Sequence, residues 1–265
     1  MIKTNAKSRL FKMSCDFASR PVLLVAFCII LMNCSCKDQK DDNLKVLNPV
    51  ATYDIDIPET SDLCFGSSTD ILYTISDNTG KAYKITNKGK VLSALIYTGN
   101  DLEGVTFVDN QYVYVAEERL RRVIKLDLQG NLLGQKDIAV EQNEENQGLE
   151  GITYASFNEH FYIINEIHPG LLIETDKDLN LLQTYQLTFA DDYSGICVDN
   201  INHELWIVSD LSASVSRCNM QGELIEGFRI PVINAEGIAV DIHNSIIYVV
   251  SDAKAKLYVF NLNSK

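Results

Sequence analysis

Five short apolar segments each open on an oxygen-bearing side chain: SDLCF at Ser61, LEGVTF at Glu103, LEGITY at Glu150, SGICV at Ser194 and AEGIAV at Glu236. A second acid follows each of them after 15 or 16 residues, at Asp77, Glu118, Glu166, Asp210 and Asp252. If the fold gathers these groups, eight carboxylates converge, and they repel one another unless positive charge lies among them. A hard divalent cation meets that need: calcium takes about six to eight oxygen ligands and tolerates irregular geometry. Glu103, Glu150 and Glu236 are the primary ligand candidates, Asp77, Glu118, Glu166, Asp210 and Asp252 the secondary ones, and Ser61 and Ser194 are weaker oxygen donors. The alternative is structural, with acids and serines capping loop amides or pairing with Lys and Arg.

The spacing says what must position them. The first residues of successive units are 42, 47, 44 and 42 apart, and a period of about 40 to 50 residues built from short β segments marks a propeller. In the second unit GVTFV, YVYVAE, RVIKLDL and LLGQKDIAV alternate as strands do, with turns at Asp109-Asn110 and Gln129-Gly130. That is a four-stranded meander, one blade. Because the chain runs along the inner strand, turns and returns, both acid positions fall at the same mouth of the central channel. The fifth unit has three strands before the chain reaches Lys265, and an unpaired edge would be left open. The segment ATYDIDIPETSDL from Ala51 resembles an outer strand with no blade before it, so it is expected to complete the last blade. The expected fold is all-β, a five-bladed β-propeller closed by the N-terminal strand, with a six-bladed-like arrangement as the alternative.

Residues 1–36 look like a leader, with Lys3, Lys7, Arg9, Lys12 and Arg20 ahead of an apolar stretch from Pro21 to Met32. Cysteine directly afterwards resembles a lipobox, with Cys34 as the acylated residue or Cys36 as the alternative. Residues 37–49 are expected to form a flexible tether, and residues 50–265 the propeller domain. This organisation implies a lipid-anchored protein of the bacterial cell envelope, on the outer membrane and either periplasmic or surface-exposed, that meets the membrane only through its anchor.

The chain has 23 basic and 36 acidic residues, a net charge of −13; residues 1–36 hold five of the former and one of the latter, so the remainder carries −17. Such a field repels nucleic acid. Cys64, Cys197 and Cys218 show no metal-ligand spacing and are expected to be small buried side chains. No HExxH or GxSxG motif is present. His160, His203 and His243 fall at or near turns on the far side, whereas His168 follows Glu166 on the acid side as a possible base or ligand. The acidic loop 141–148 and the cluster Arg119, Arg121 and Arg122 are also expected near the mouth.

The LEG, SGI and AEG openings, the acids that follow them and the lipoprotein-like leader together resemble the SdiA-regulated family of bacterial envelope proteins, from Tyr53 to Asn261. The resemblance implies a five-bladed propeller with a calcium site, and it singles out Glu103, Glu150 and Glu236 as ligands; it implies no established activity. Serine at Ser61 and Ser194 departs from a symmetric ring. The expected function is a calcium-binding module that presents its acidic mouth to a small-molecule or protein ligand. The alternative is a metal-dependent hydrolase of lactonase or phytase-like type, with Asp210 or Asp252 as its base; no residue is assigned a catalytic role.

Overall fold

The computed structural model describes residues 44–140, 148–166 and 170–264. The leader with Cys34 and Cys36, the loop 141–147 and His168 lie outside the described residues. Within them the chain is all-β. Strands β1 (Lys45–Val46) and β2 (Pro49–Asp54) precede blade I, which is β3 (Thr60–Phe65), β4 (Ile71–Ser76), β5 (Lys81–Thr86) and β6 (Val91–Ala94). Blade II is β7 (Leu102–Val108), β8 (Tyr112–Glu117), β9 (Arg122–Asp127) and β10 (Leu132–Asp137). Blade III is β11 (Leu149–Ala155), β12 (His160–Asn165), β13 (Leu171–Thr175) and β14 (Leu181–Gln186). Blade IV is β15 (Gly195–Asp199), β16 (Glu204–Ser209), β17 (Ser214–Cys218) and β18 (Leu224–Arg229). Blade V holds β19 (Ala235–Asp241), β20 (Ile246–Ser251) and β21 (Lys256–Asn261).

The expected closure is present. β2 adds antiparallel to β21 and completes blade V, with Tyr53 opposite Leu257 and Asp54 opposite Lys256. One boundary differs from expectation: Lys45 and Val46, placed in the tether by composition, form β1, which runs parallel to β18 on the edge of blade IV. Leu47, buried to 1% exposure, then packs with Trp206 and Phe228 of blade IV and Phe260 of blade V. This segment is held because Leu47 has a slot between two blades and Leu44 lies against Gly227 of β18.

The core is five separate interfaces, each between neighbouring blades. Blades I and II bury Ile75, Leu102, Val113 and Ile124 together; II and III bury Val123, Ile152, Phe161 and Ile173. III and IV share Tyr162, Leu172, Ile196 and Ile207, and V and I share Leu63, Leu72, Tyr248 and Leu257. Alternation makes this possible, because each strand of period two offers apolar side chains to the blade on either side.

At the centre the inner strands β3, β7, β11, β15 and β19 touch. A Cβ on Gly195 would lie 2.2 Å from the Glu236 carbonyl oxygen, and one on Gly237 would lie 2.5 Å from the backbone of Asp62. These glycines have ordinary φ, so they serve close strand approach and not an unusual backbone angle. The inner strands therefore approach one another backbone to backbone beside the central pit that the acids line. Gly195→Ala should destabilise the domain by about 1–3 kcal/mol or more, as overpacking does. Gly134→Ala in the exposed strand β10, where an added methyl meets nothing within 4 Å, should be neutral or stabilise by up to about 1 kcal/mol. Urea denaturation of the two variants checks the contrast.

Candidate functional site

A bulge aims each acid. In β7, β11 and β19 the pairing register shifts between Leu102 and Gly104, between Leu149 and Gly151, and between Ala235 and Gly237. The skipped residues are Glu103, Glu150 and Glu236. An extra residue in one strand bends it and redirects a side chain, which is how the L-E-G and A-E-G sequences turn a carboxylate toward the axis. β3 shifts likewise across Ser61 and Asp62.

The residues just before the second acids hold the loops that enter each blade. Ser76 Oγ donates to the Pro58 carbonyl at 2.6 Å, and Ser251 Oγ to the Ile233 carbonyl at 2.6 Å. Glu117 accepts from Tyr97 Oη and from the Asn100 amide, both at 3.1 Å. The second acids then open tight turns: the Asp77, Glu118, Asp210 and Asp252 carbonyls accept from the amides of Gly80, Arg121, Ala213 and Ala255. Anchored this way, their side chains are free to differ in role.

The resulting pit has a volume of about 370 Å³. Glu103, Glu150 and Glu236 line it with Ser61, and so do Asp77, Glu118, Glu166 and Asp252 from the outer set. Blade IV stays out of the lining. Asp210 accepts the Ala235 amide at 3.3 Å, and Ser194 Oγ donates to Asp192 Oδ2 at 3.3 Å, so both are occupied by structure. Asp192 itself binds Ser209 Oγ and the Leu211 amide.

Two further lining acids, Glu59 and Asp101, were absent from the expected set. Each lies two residues before an inner-ring position and has left-handed backbone, φ 47° and 61°. Asp101 matters most: ligand oxygens of Asp77, Asp101 and Glu103 all lie within 4.8 Å of one another. Arg119, the basic residue of the lining, places Nε 2.8 Å from Asp101 Oδ2, an ion pair without hydrogen-bond alignment. Arg121 instead bonds the Val140 carbonyl and Arg122 bonds Asp137, so one of three expected arginines reaches the pit. On other surfaces, His160 pairs with Glu174 at 2.7 Å and His203 stacks on Phe157.

Crowding shows in the electrostatics. Burial first, then the charges of Asp77, Glu118 and Glu236, push Glu103 up to about 9, although Ser61 bonds it. Burial followed by Asp210 and Asp252 takes Glu236 to about 8. Burial takes Glu118 to about 7, aided by Asp101 and Glu166 and opposed by the Gly148 amide, which donates to Oε1 at 3.1 Å. Glu150 is raised well above the usual range by burial, then by its glutamate neighbours. With no cation among them, these acids hold protons that the unfolded chain releases above about pH 4.5. The folded state then binds more protons than the unfolded state, so stability falls as pH rises. Asp127, Asp176 and Glu174 are shifted downward; their contribution is complete above the unfolded carboxylate range and is lost only in acid. In chelator, the melting temperature should therefore fall steadily from about pH 5 to pH 9 at fixed ionic strength; a flat or rising trend would contradict the raised values.

A family model described as SdiA-regulated matches residues 45–261. Among solved structures, a glutaminyl cyclase from Myxococcus xanthus aligns with a TM-score of 0.63 at 13% identity, covering 82% of this chain and 98% of that one. The β-propeller domain of Cps50 (Swd1) from Myceliophteria thermophila aligns with a TM-score of 0.51 at 10% identity, covering 82% of this chain and all (100%) of that one. At such identities the likeness is one of fold. The family match spans all five blades and the strand that closes them, and the chain belongs to the SdiA-regulated family.

Proposed function

We propose that this propeller is a calcium-dependent binding module of the cell envelope, tethered through an acylated Cys34 or Cys36, whose acidic pit takes the ion and presents it to a small-molecule or protein ligand. The observation that carries the reading is the approach of Asp77, Asp101 and Glu103 oxygens to within 4.8 Å of one another. Oxygens on opposite sides of one calcium ion stand about 4.6–5.2 Å apart, twice the usual bond length. Glu150 and Glu236 supply further charge from the same pit, and Glu118 and Asp252 stand at its wall. The acid-rich lining suits a hard oxygen-seeking cation and gives a soft thiophilic metal no thiolate. Nucleic acid does not fit this charge.

The pit is also larger than one ion requires, which favours a second reading: a metal-dependent hydrolase in which a carboxylate such as Asp252 activates water beside the bound ion. Asp210, the other candidate base, is held by the Ala235 amide and is the weaker choice. The resemblance to a glutaminyl cyclase is of fold and brings no activity with it.

Calorimetric unfolding with calcium and with chelator tests the main reading. A ligand selective for the folded state at 100 times its dissociation constant adds about 2.7 kcal/mol, so the midpoint should rise clearly, and more at pH 8 than at pH 5.5, where protons compete for the same oxygens. An identical midpoint in calcium and chelator would refute it. Lactone and phosphoester turnover should equal background in both the wild type and Glu150→Gln; turnover abolished by that substitution would instead establish the hydrolase.

A further inference from the structure

Four inner strands carry glycine after their first marked residue, and the fifth carries Asp62. This side chain is wholly buried, at 0% exposure. Its Oδ1 accepts the Leu63 amide at 2.8 Å, and its Oδ2 accepts the Val105 amide of blade II at 2.8 Å. The bond to Val105 joins the inner strand of blade I to that of blade II. Its own carbonyl accepts Thr74 Oγ1 at 2.7 Å, and Gly237 of blade V packs against its backbone. Asp62 therefore joins blade I to blade II and packs against blade V.

Val105 lies two residues after Glu103, past the bulge that aims that glutamate. Immediately before Asp62 stands Ser61, which lines the pit together with Glu103. One side chain thus ties together the strand segments that carry two members of the inner ring. Burial raises its carboxyl well above the usual range, the Val105 and Leu63 amides oppose that shift, and removing the side chain leaves both amides without a partner.

We propose that Asp62 is a positioning residue for the cation site: by accepting the Val105 amide of blade II, its carboxylate fixes where Glu103 stands beside the ion. This rests on the cation-binding reading above. Outer partners that orient metal ligands typically change affinity by about 10- to 100-fold when replaced. Asp62→Asn keeps the size of the side chain but turns one acceptor into a donor that faces an amide. Asp127→Asn is the matched control, because Asp127 also accepts backbone amides, those of Gln129 and Asn131 at 2.9 and 2.8 Å, in an exposed turn remote from the pit.

Calcium titration by calorimetry on the full chain, with folding checked by circular dichroism, reads the result. The expected outcome is that Asp62→Asn binds calcium about 10- to 100-fold more weakly, while Asp127→Asn binds as the wild type does. Wild-type affinity in Asp62→Asn, or a loss no greater than in the control, would overturn the inference and leave the cation reading intact. A wild type that takes no calcium would overturn both. Should Asp62→Asn fail to fold, hydrogen exchange on the wild type decides: calcium should slow exchange at the Val105 amide, and an unchanged rate there would overturn the inference.

Discussion

Ring closure with direct contact between inner strands is the constraint on which everything else depends. Where five twisted blades meet at one axis, four of the inner strands carry glycine after their first marked residue and the fifth carries Asp62, and Gly195 and Gly237 show how little room remains. There the bulges in β7, β11 and β19 turn the preceding residue inward. Whatever occupies those positions is forced into company. Here it is mostly glutamate, so the geometry that closes the ring also concentrates negative charge in a pit of about 370 Å³.

Concentrated carboxylates have two ways to coexist: they keep protons, or they share a cation. Without a cation they retain protons, which is why burial and mutual repulsion carry Glu103 to about 9 and Glu236 to about 8. In the proposed calcium-bound state they would ionise and release those protons on binding. The same residues that are costly alone would then serve as ligands together. Blade IV shows the contrasting arrangement: Ser194, Ser209 and Asp192 satisfy one another by hydrogen bonds, and Asp210 turns to an amide. The acidity is therefore one-sided, weighted toward blades I, II, III and V.

Much of the architecture was legible because it repeats. A period near 44 residues, acids at fixed offsets and a missing last strand required no tertiary information, and β2 completes blade V as they require. The convergence of Glu103, Glu150 and Glu236 followed from hairpin direction alone. Asp101 and Glu59 escaped because they belong to entry loops whose left-handed backbone is set by tertiary contacts and not by strand alternation. Extending the comparison two residues upstream, to Glu59, Asp101, Gly148, Asp192 and Asn234, gives the signal that was available. Asp62 reads in the sequence as a departure from a glycine motif, and its partner Val105 is 43 residues away; no local pattern could report that bond. β1 was hidden for a similar reason, since its stability comes from β18 and from the slot for Leu47.

A crystal structure grown in calcium, with anomalous scattering to identify the ion, decides whether the acidic pit holds a divalent cation as proposed. An anomalous peak is expected inside the pit, about 2.3–2.6 Å from oxygens of Asp77, Asp101 and Glu103, with Glu150 or Glu236 completing the shell directly or through water. A well-ordered pit filled by water alone, its carboxylates paired with each other across shared protons at saturating calcium, would contradict it.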